Sequence, residues 1–164
     1  MAEGATPDKI EQAIELFQDA HRHQMKGDLD RAIELYLRSI VIYPTAEGHT
    51  FLGWAYSFQG RLDEAIEECK RAIEIDPDFG NPYNDIGAYL IDLGCLREAI
   101  PWLERAMRAS RYECHQFPHF NLGRVHEALG DVHRAKDCYR KALAIEPSYD
   151  LAAEALWDLI ARLN

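Results

Sequence analysis

The sequence predicts an all-α protein made of four tandem helix-turn-helix units and a closing C-terminal helix. Three observations carry this. The pattern Gly-x₄-Ala occurs four times, at Gly27/Ala32, Gly60/Ala65, Gly94/Ala99 and Gly130/Ala135, with the glycines 33, 34 and 36 residues apart, a period that belongs to stacked supersecondary units. An apolar-Gly pair stands seven residues before three of the glycines (Leu52-Gly53, Ile86-Gly87, Leu122-Gly123), while Asp19-Ala20 keeps only the small residue in the first unit. Pro44, Pro77 and Pro147 each follow their turn glycine by 17 residues, and Arg111 takes that place in the third unit. The units fall at about 13–46, 47–79, 80–113 and 116–149, with a capping helix over 150–163, in one domain spanning 1–164.

The elements follow in order. Thr6-Pro7-Asp8 reads as a helix start, with threonine as N-cap and proline at the first helical position. Ile10, Ala13, Ile14 and Phe17 continue on one face, so the first front helix extends upstream of its repeat. In the second unit Phe51, Leu52, Ala55 and Tyr56 recur at helical spacing up to Gln59-Gly60, where glycine can take positive φ. Leu62, Ala65, Ile66, Cys69, Ala72 and Ile73 then form one apolar stripe, which Pro77 ends because proline disfavours α conformation in the residue before it. Gly53 and Ala65 fall where the two helices cross, and their small size lets the backbones approach.

The third unit places Pro101 one turn into its second helix, where one backbone hydrogen bond is lost at little cost. Trp102 beside it either faces outward or packs against the next unit. A two-residue excess before the fourth unit marks Arg111 to Phe117 as irregular. In the closing helix, Asp150 to Leu163, the inner stripe is expected at Ala153, Leu156, Trp157, Ile160 and Leu163, with Glu154, Asp158 and Arg162 in water. Nine helices result.

In this register the chain resembles the tetratricopeptide repeat family, with its pattern Trp-x₂-Leu-Gly-x₂-Tyr, Ala-x₃-Phe, then Ala and Pro in about 34 residues. The second unit matches at Leu52, Gly53, Tyr56, Ala65, Ala72 and Pro77, and the third at Tyr83, Ile86, Gly87, Ala99 and Ala106. The fourth matches at Leu122, Gly123, Ala135, Tyr139, Ala142 and Pro147, and the first at Ala20, Ala32, Tyr36 and Pro44, with His23 where the pattern has tyrosine. The resemblance covers about residues 13 to 149 and has a bacterial style of short, unbroken units. It implies a right-handed α-solenoid that binds a protein or peptide partner on a concave surface lined by the front helices.

Transferring the family's inward-facing positions assigns His21, Gln24 and Met25 to that surface in the first unit, and Thr50, Trp54, Ser57 and Phe58 in the second. Asn81, Asn84, Asp85, Ala88 and Ile91 follow in the third, and Phe117, Phe120, Asn121, Arg124 and Glu127 in the fourth. Asn84 and Asn121 each offer a donor and an acceptor to an extended peptide backbone. Trp54, Phe58, Phe117 and Phe120 offer apolar area to a partner's anchors. The alternative is that Trp54 and Phe120 pack between adjacent front helices, but several apolar residues at groove positions together favour a binding surface. Positions corresponding to the family's chaperone-tail clamp hold Phe17, His21, Asn81 and Asp85 with no lysine, so that activity is not expected. Arg124, the only fixed cation in the groove, is the candidate for an acidic partner group, unless Glu127 pairs with it.

A formal net charge of −10 argues against nucleic-acid binding through phosphate neutralisation. No run of about 18 apolar residues exists, and the amino terminus lacks the regions of a secretion signal, so no membrane role and a cytoplasmic setting are expected. Cys69, Cys95, Cys114 and Cys138 lie in different units without CxxC pairing and read as reduced thiols. Cys114, His115, His119 and His126 lie close in sequence, but no second pair completes a metal site, and no metal or other cofactor is expected. Gly-rich phosphate loops, HExxH and GxSxG are absent, Asp63-Glu64 and Glu67-Glu68 fall on expected solvent faces, and the chain does not read as an enzyme.

The leading expectation is a protein-binding adaptor or scaffold. The second, motivated by the extended first helix and by Trp157 in the last, is a homo-oligomer assembled through terminal helices. The unit order also resembles the tetratricopeptide proteins of type IV pilus biogenesis, although those are lipoproteins and no lipobox cysteine stands near the start here.

Overall fold

The computed structural model describes residue 4 and residues 6–163. Among them nine α-helices run in chain order: α1 (Pro7–Met25), α2 (Leu29–Ile42), α3 (Ala46–Phe58), α4 (Leu62–Ile75), α5 (Asn81–Asp92), α6 (Leu96–Arg108), α7 (Gln116–Ala128), α8 (Val132–Ile145) and α9 (Asp150–Leu163). They form two units of dense internal contact, Met1–Pro77 and Asp78–Asn164. In the first, α1 packs on α2, α2 on α3 and α3 on α4; in the second, each helix from α5 to α9 packs on the next, and α5 also reaches α7.

The four turn glycines make the hairpins. Gly27, Gly60, Gly94 and Gly130 have φ of 82°, 76°, 79° and 80°, in the left-handed region where any other residue carries a Cβ clash. The hydrogen bonds are the same each time. The glycine N–H donates to the carbonyl three residues back and the following N–H to the carbonyl five back, as in Gly27 to Gln24 at 2.9 Å and Asp28 to His23 at 3.0 Å, so the orphan carbonyls of the first helix are satisfied by the start of the second. Asp28 and Asp131 then cap α2 and α8 through the N–H groups of Arg31 and Arg134. The Thr6 side chain makes no such bond, and the start of α1 rests on Pro7 and on the Thr6 carbonyl.

Each alanine of the Gly-x₄-Ala pattern, Ala32, Ala65, Ala99 and Ala135, is fully buried. Opposite them the helix glycines leave no room for a side chain. A Cβ on Gly53 would lie 2.9 Å from the Ala65 carbonyl oxygen, one on Gly87 would lie 2.4 Å from Leu103, and one on Gly123 would lie 2.3 Å from the Tyr139 ring. Around these crossings Leu35, Tyr36, Leu52 and Cys69 fill the core of the first unit, and Ile86, Leu103, Val125 and Tyr139 that of the second.

Three expectations are corrected. In α9 the buried residues are Ala152 and Leu159, with Ala155 and Leu156 packed partly against Tyr139, while Trp157 is 73% and Leu163 52% exposed; the stripe is rotated by about one residue because α9 meets α8 on a single side. Glu68 is buried rather than solvated. Its carboxylate takes the His49 ring nitrogen at 2.6 Å and the Arg71 guanidinium at 2.5 Å, which pins α3 to α4 through a polar contact that neither sequence stripe marks. Trp102 packs within its own hairpin, 6.2 Å from the Tyr83 ring, with the Arg105 guanidinium over both rings.

The irregular segment before α7 is fastened rather than loose. The Gly80 N–H donates to the Arg111 carbonyl at 3.1 Å and the Arg111 N–H to the Asp78 carbonyl at 3.0 Å, forming a short parallel bridge of Phe79 with Arg111. Tyr112 lies against Gly80, where an added Cβ would come within 2.3 Å of the tyrosine's own Cβ and 2.4 Å of its ring.

Gly123→Ala is expected to lower stability by about 2 kcal/mol in urea denaturation, because the buried Tyr139 ring cannot withdraw. Glu68→Ala, which strands His49 inside the first unit, is expected to cost about 3 kcal/mol by the same measurement. Glu67→Ala, one residue away and exposed, is expected within about 0.5 kcal/mol of wild type.

Candidate functional site

In the first unit the front-helix residues build an aromatic ladder. Phe51 on α3 stands edge-on to Phe17 of α1 at 5.2 Å, to His21 at 5.4 Å and to Trp54 at 5.7 Å, and Trp54 meets Phe58 at 5.5 Å. Ring separations of this size and tilt are those favoured by the aromatic quadrupole. The ladder is anchored on the buried Tyr36, whose hydroxyl donates to Gln24 Oε1 at 2.7 Å and whose pKa is raised by burial. It opens outward along α3: Phe51 is half-buried, Trp54 is 38% exposed and Phe58 is 59% exposed. Met25, at the end of α1, is 66% exposed. Thr50 and Ser57 are engaged by their own helix, donating at 2.7 Å to the carbonyls of Ala46 and Trp54.

In the second unit the corresponding surface is polar and already connected. Arg124 on α7 donates to Asn121 Oδ1 at 3.1 Å, and Asn121 Nδ2 donates to Asn84 Oδ1 on α5 at 3.0 Å. Three side chains on two helices thus form one directed chain of hydrogen bonds, from the Arg124 guanidinium to the Asn84 amide oxygen. Asn84 and Asn121 are both buried, each answering the other, so the amides expected to meet a peptide backbone instead tie α5 to α7. Arg124 also reaches Asp92 at 3.2 Å. Glu127 does not pair with it: Glu127 accepts from the Tyr139 hydroxyl at 2.6 Å and from Arg162 on α9.

Phe120 packs on Tyr139 at 5.8 Å and on Tyr149 at 5.2 Å, while Phe117, 37% exposed, stands edge-on to Tyr149 at 5.5 Å. Asn81, Ala88 and Ile91 are partly exposed on α5. His119 has its pKa lowered by burial first, then by Lys141 and His115. Among the described residues no group of three or more His, Cys, Asp or Glu side chains is arranged to hold a metal ion.

Asp85 is the most perturbed acid of this surface. Burial pushes its carboxyl from 3.8 up to about 7, against the opposing hydrogen bond from Asn84. Its charge in turn adds to the effect of burial in raising the Tyr112 phenol. Sequence reasoning placed Asp85 on the surface but gave no sign of this, since desolvation is a property of neighbours.

Models of the tetratricopeptide repeat match residues 46–79 and 117–149, the second and fourth hairpins. The chain belongs to the tetratricopeptide repeat family. It is 31% identical over 92 residues to a small glutamine-rich tetratricopeptide repeat-containing protein 2 of Mycosarcoma maydis, which covers 56% of this chain and 26% of that protein, so the chain spans about a quarter of this curated relative. Among solved structures it superposes on PilF of Pseudomonas aeruginosa with a TM-score of 0.87 at 21% identity, covering 94% of this chain and 70% of that one. PilW, described as a widely conserved type IV pilus biogenesis factor, gives 0.80 at 20% identity over 85% of this chain and 64% of that one. At these identities the likeness is one of fold, and the fold of this tetratricopeptide protein is an all-α solenoid. Such repeats generally serve as scaffolds that bind protein partners. Among the described residues no helix is long and apolar enough to cross a membrane.

The sign of the Asp85 shift fixes a pH dependence. A carboxyl whose folded value lies above its unfolded one favours the fold fully below 3.8, and that contribution is lost as pH rises through about 7. Urea midpoints of wild type are therefore expected to fall across this window more steeply than those of Asp85→Asn, which at pH 8 is expected to be the more stable of the two. Asn121→Ala, which strands Asn84, is expected to cost about 1–2 kcal/mol at any pH.

Proposed function

We propose that this chain is a non-enzymatic adaptor that binds a peptide segment or helix of another protein on the outward residues of its front helices. The carrying observation is the aromatic ladder of the first unit, in which Trp54 and Phe58 present ring faces to solvent from a base, Phe51 and Tyr36, that is already packed. Rigid aromatic rings held in this way bury large area at small entropic cost when a partner covers them, which makes them good binding anchors. His21 edges the same ladder, and Phe117 with Tyr149 offers a smaller anchor in the second unit. The buried amides supply rigidity rather than contact. A cytoplasmic setting is proposed because four cysteines spread over α4, α8 and two connections without a CxxC pair suit a reducing compartment.

A second reading, self-association, is favoured by α9. Trp157 stands 34 residues after Gly123, where the repeat register places the crossing glycine, yet it is 73% exposed. The helix face that a hairpin partner would cover is thus open and aromatic.

Capture of partners from a native extract, followed by mass spectrometry, is expected to lose its recovered protein when folded Trp54→Ala/Phe58→Ala replaces wild type, with affinity for that protein falling about tenfold or more. Equal recovery by the folded double variant excludes the adaptor reading. Light scattering across a concentration series addresses the second reading: growth in mass that Trp157→Ser abolishes supports it, and a constant monomer mass removes it.

A further inference from the structure

We propose that Trp157 of one copy of this chain seats its indole ring in an apolar pocket on the first unit of a second copy, so that copies join head to tail. This rests on the self-association reading above and names the surface that receives α9.

The pocket lies where α1 passes the end of α2 and the start of α3. Ala13, Ile14 and Phe17 form its wall on α1, and Tyr43 and Thr45 close it from the α2–α3 connection, around a cavity of about 190 Å³. An apolar cavity of about 150 Å³ already takes a benzene ring, so this one has room for a single large aromatic side chain. Its polar lining asks little of an occupant. The Ser39 hydroxyl donates to the Ala13 carbonyl at 2.7 Å, and the Thr45 hydroxyl oxygen accepts the Gly48 N–H at 2.9 Å. At the rim Tyr43, 38% exposed, and Glu47 bring oxygen acceptors of the kind an indole N–H takes when it is covered.

Trp157 has the matching form. It is 73% exposed, and Ala153 and Ala161, one turn to either side on α9, are too small to cover its ring. The contact with α8 buries Ala152 and Leu159 and leaves Trp157 turned away. Tryptophan buries much area for little lost freedom, which makes it a strong anchor once a pocket receives it. Charge favours the same pairing. Glu154 and Asp158, which flank Trp157, are exposed. On α1, helical spacing sets the exposed Lys9 beside Ala13 and Phe17 on the pocket side, while Asp8, Glu11 and Glu15 fall on the other side of the helix. A basic residue beside the pocket thus meets two acids beside the ring. A projecting ring at one place and a pocket for it at another make a heterologous contact, which adds copies in series rather than closing a symmetric pair.

The test uses the full chain in sedimentation equilibrium across a concentration series, with circular dichroism confirming that each variant is folded. Ile14→Glu places a charge at the half-exposed edge of the pocket, and Trp157→Ser removes the ring. Each variant alone is expected to stay monomeric at about tenfold the concentration at which wild type associates. An equimolar mixture of the two is expected to regain association and to stop at the dimer. In that mixture the ring of the Ile14→Glu copy still meets an intact pocket on the Trp157→Ser copy, and no second contact is left. Ile75→Glu, the same kind of change at an exposed site on α4, is expected to associate as wild type does. Association of Ile14→Glu equal to that of wild type, a mixture that stays monomeric, or an equal loss in Ile75→Glu overturns the proposal and leaves self-association through α9 in place. A wild type that stays monomeric, or a Trp157→Ser variant that associates as wild type does, removes both.

Discussion

Close approach of two helix backbones within each hairpin is the constraint on which the rest of this molecule depends. At Gly53 the second helix lies so near that a single added carbon would meet the Ala65 carbonyl at 2.9 Å, and Gly87 and Gly123 are closed by Leu103 and Tyr139 at shorter distances still. Such crossings fix the rotation of each helix about its own axis, since only the small-residue face can turn inward. Once that rotation is set, the positions on the opposite side of each front helix are turned outward together. The outward surface of the front helices is in this sense a by-product of the glycines.

The two units use that surface differently. In the first, rings stack from the buried Tyr36 out to the exposed Phe58, and apolar area increases toward solvent. In the second, hydrogen bonds run from Arg124 through Asn121 to Asn84 and tie α7 to α5. Apolar rings gain by desolvation when they are covered, whereas the hydrogen-bonded side chains of the second unit already answer one another.

Much of this was legible in the sequence, and the gaps have particular causes. The turn glycines, the buried alanines and the helix order follow from local periodicity, which side-chain size and φ preference enforce residue by residue. Glu68 was assigned to water because its neighbours Asp63, Glu64 and Glu67 are exposed, and the partner that draws it inside, His49, lies 19 residues away on another helix. Trp157 falls in the apolar stripe that helical spacing gives α9, but α9 packs on one side only and its contact with α8 selects Ala152 and Leu159. Asn84 and Asn121 read as amides open to a partner, but a donor and an acceptor 37 residues apart satisfy each other.

By itself the sequence determined the all-α repeat and its turns, because helical period and glycine conformation are local properties. Tertiary structure decided which of those residues remain free: whether Arg124 reaches a partner or Asp92, whether Phe120 faces solvent or Tyr149, and whether Asp85 is an ordinary acid or one raised to about 7. Those outcomes depend on pairing and desolvation between distant segments, and a one-dimensional pattern does not contain the distances that set them.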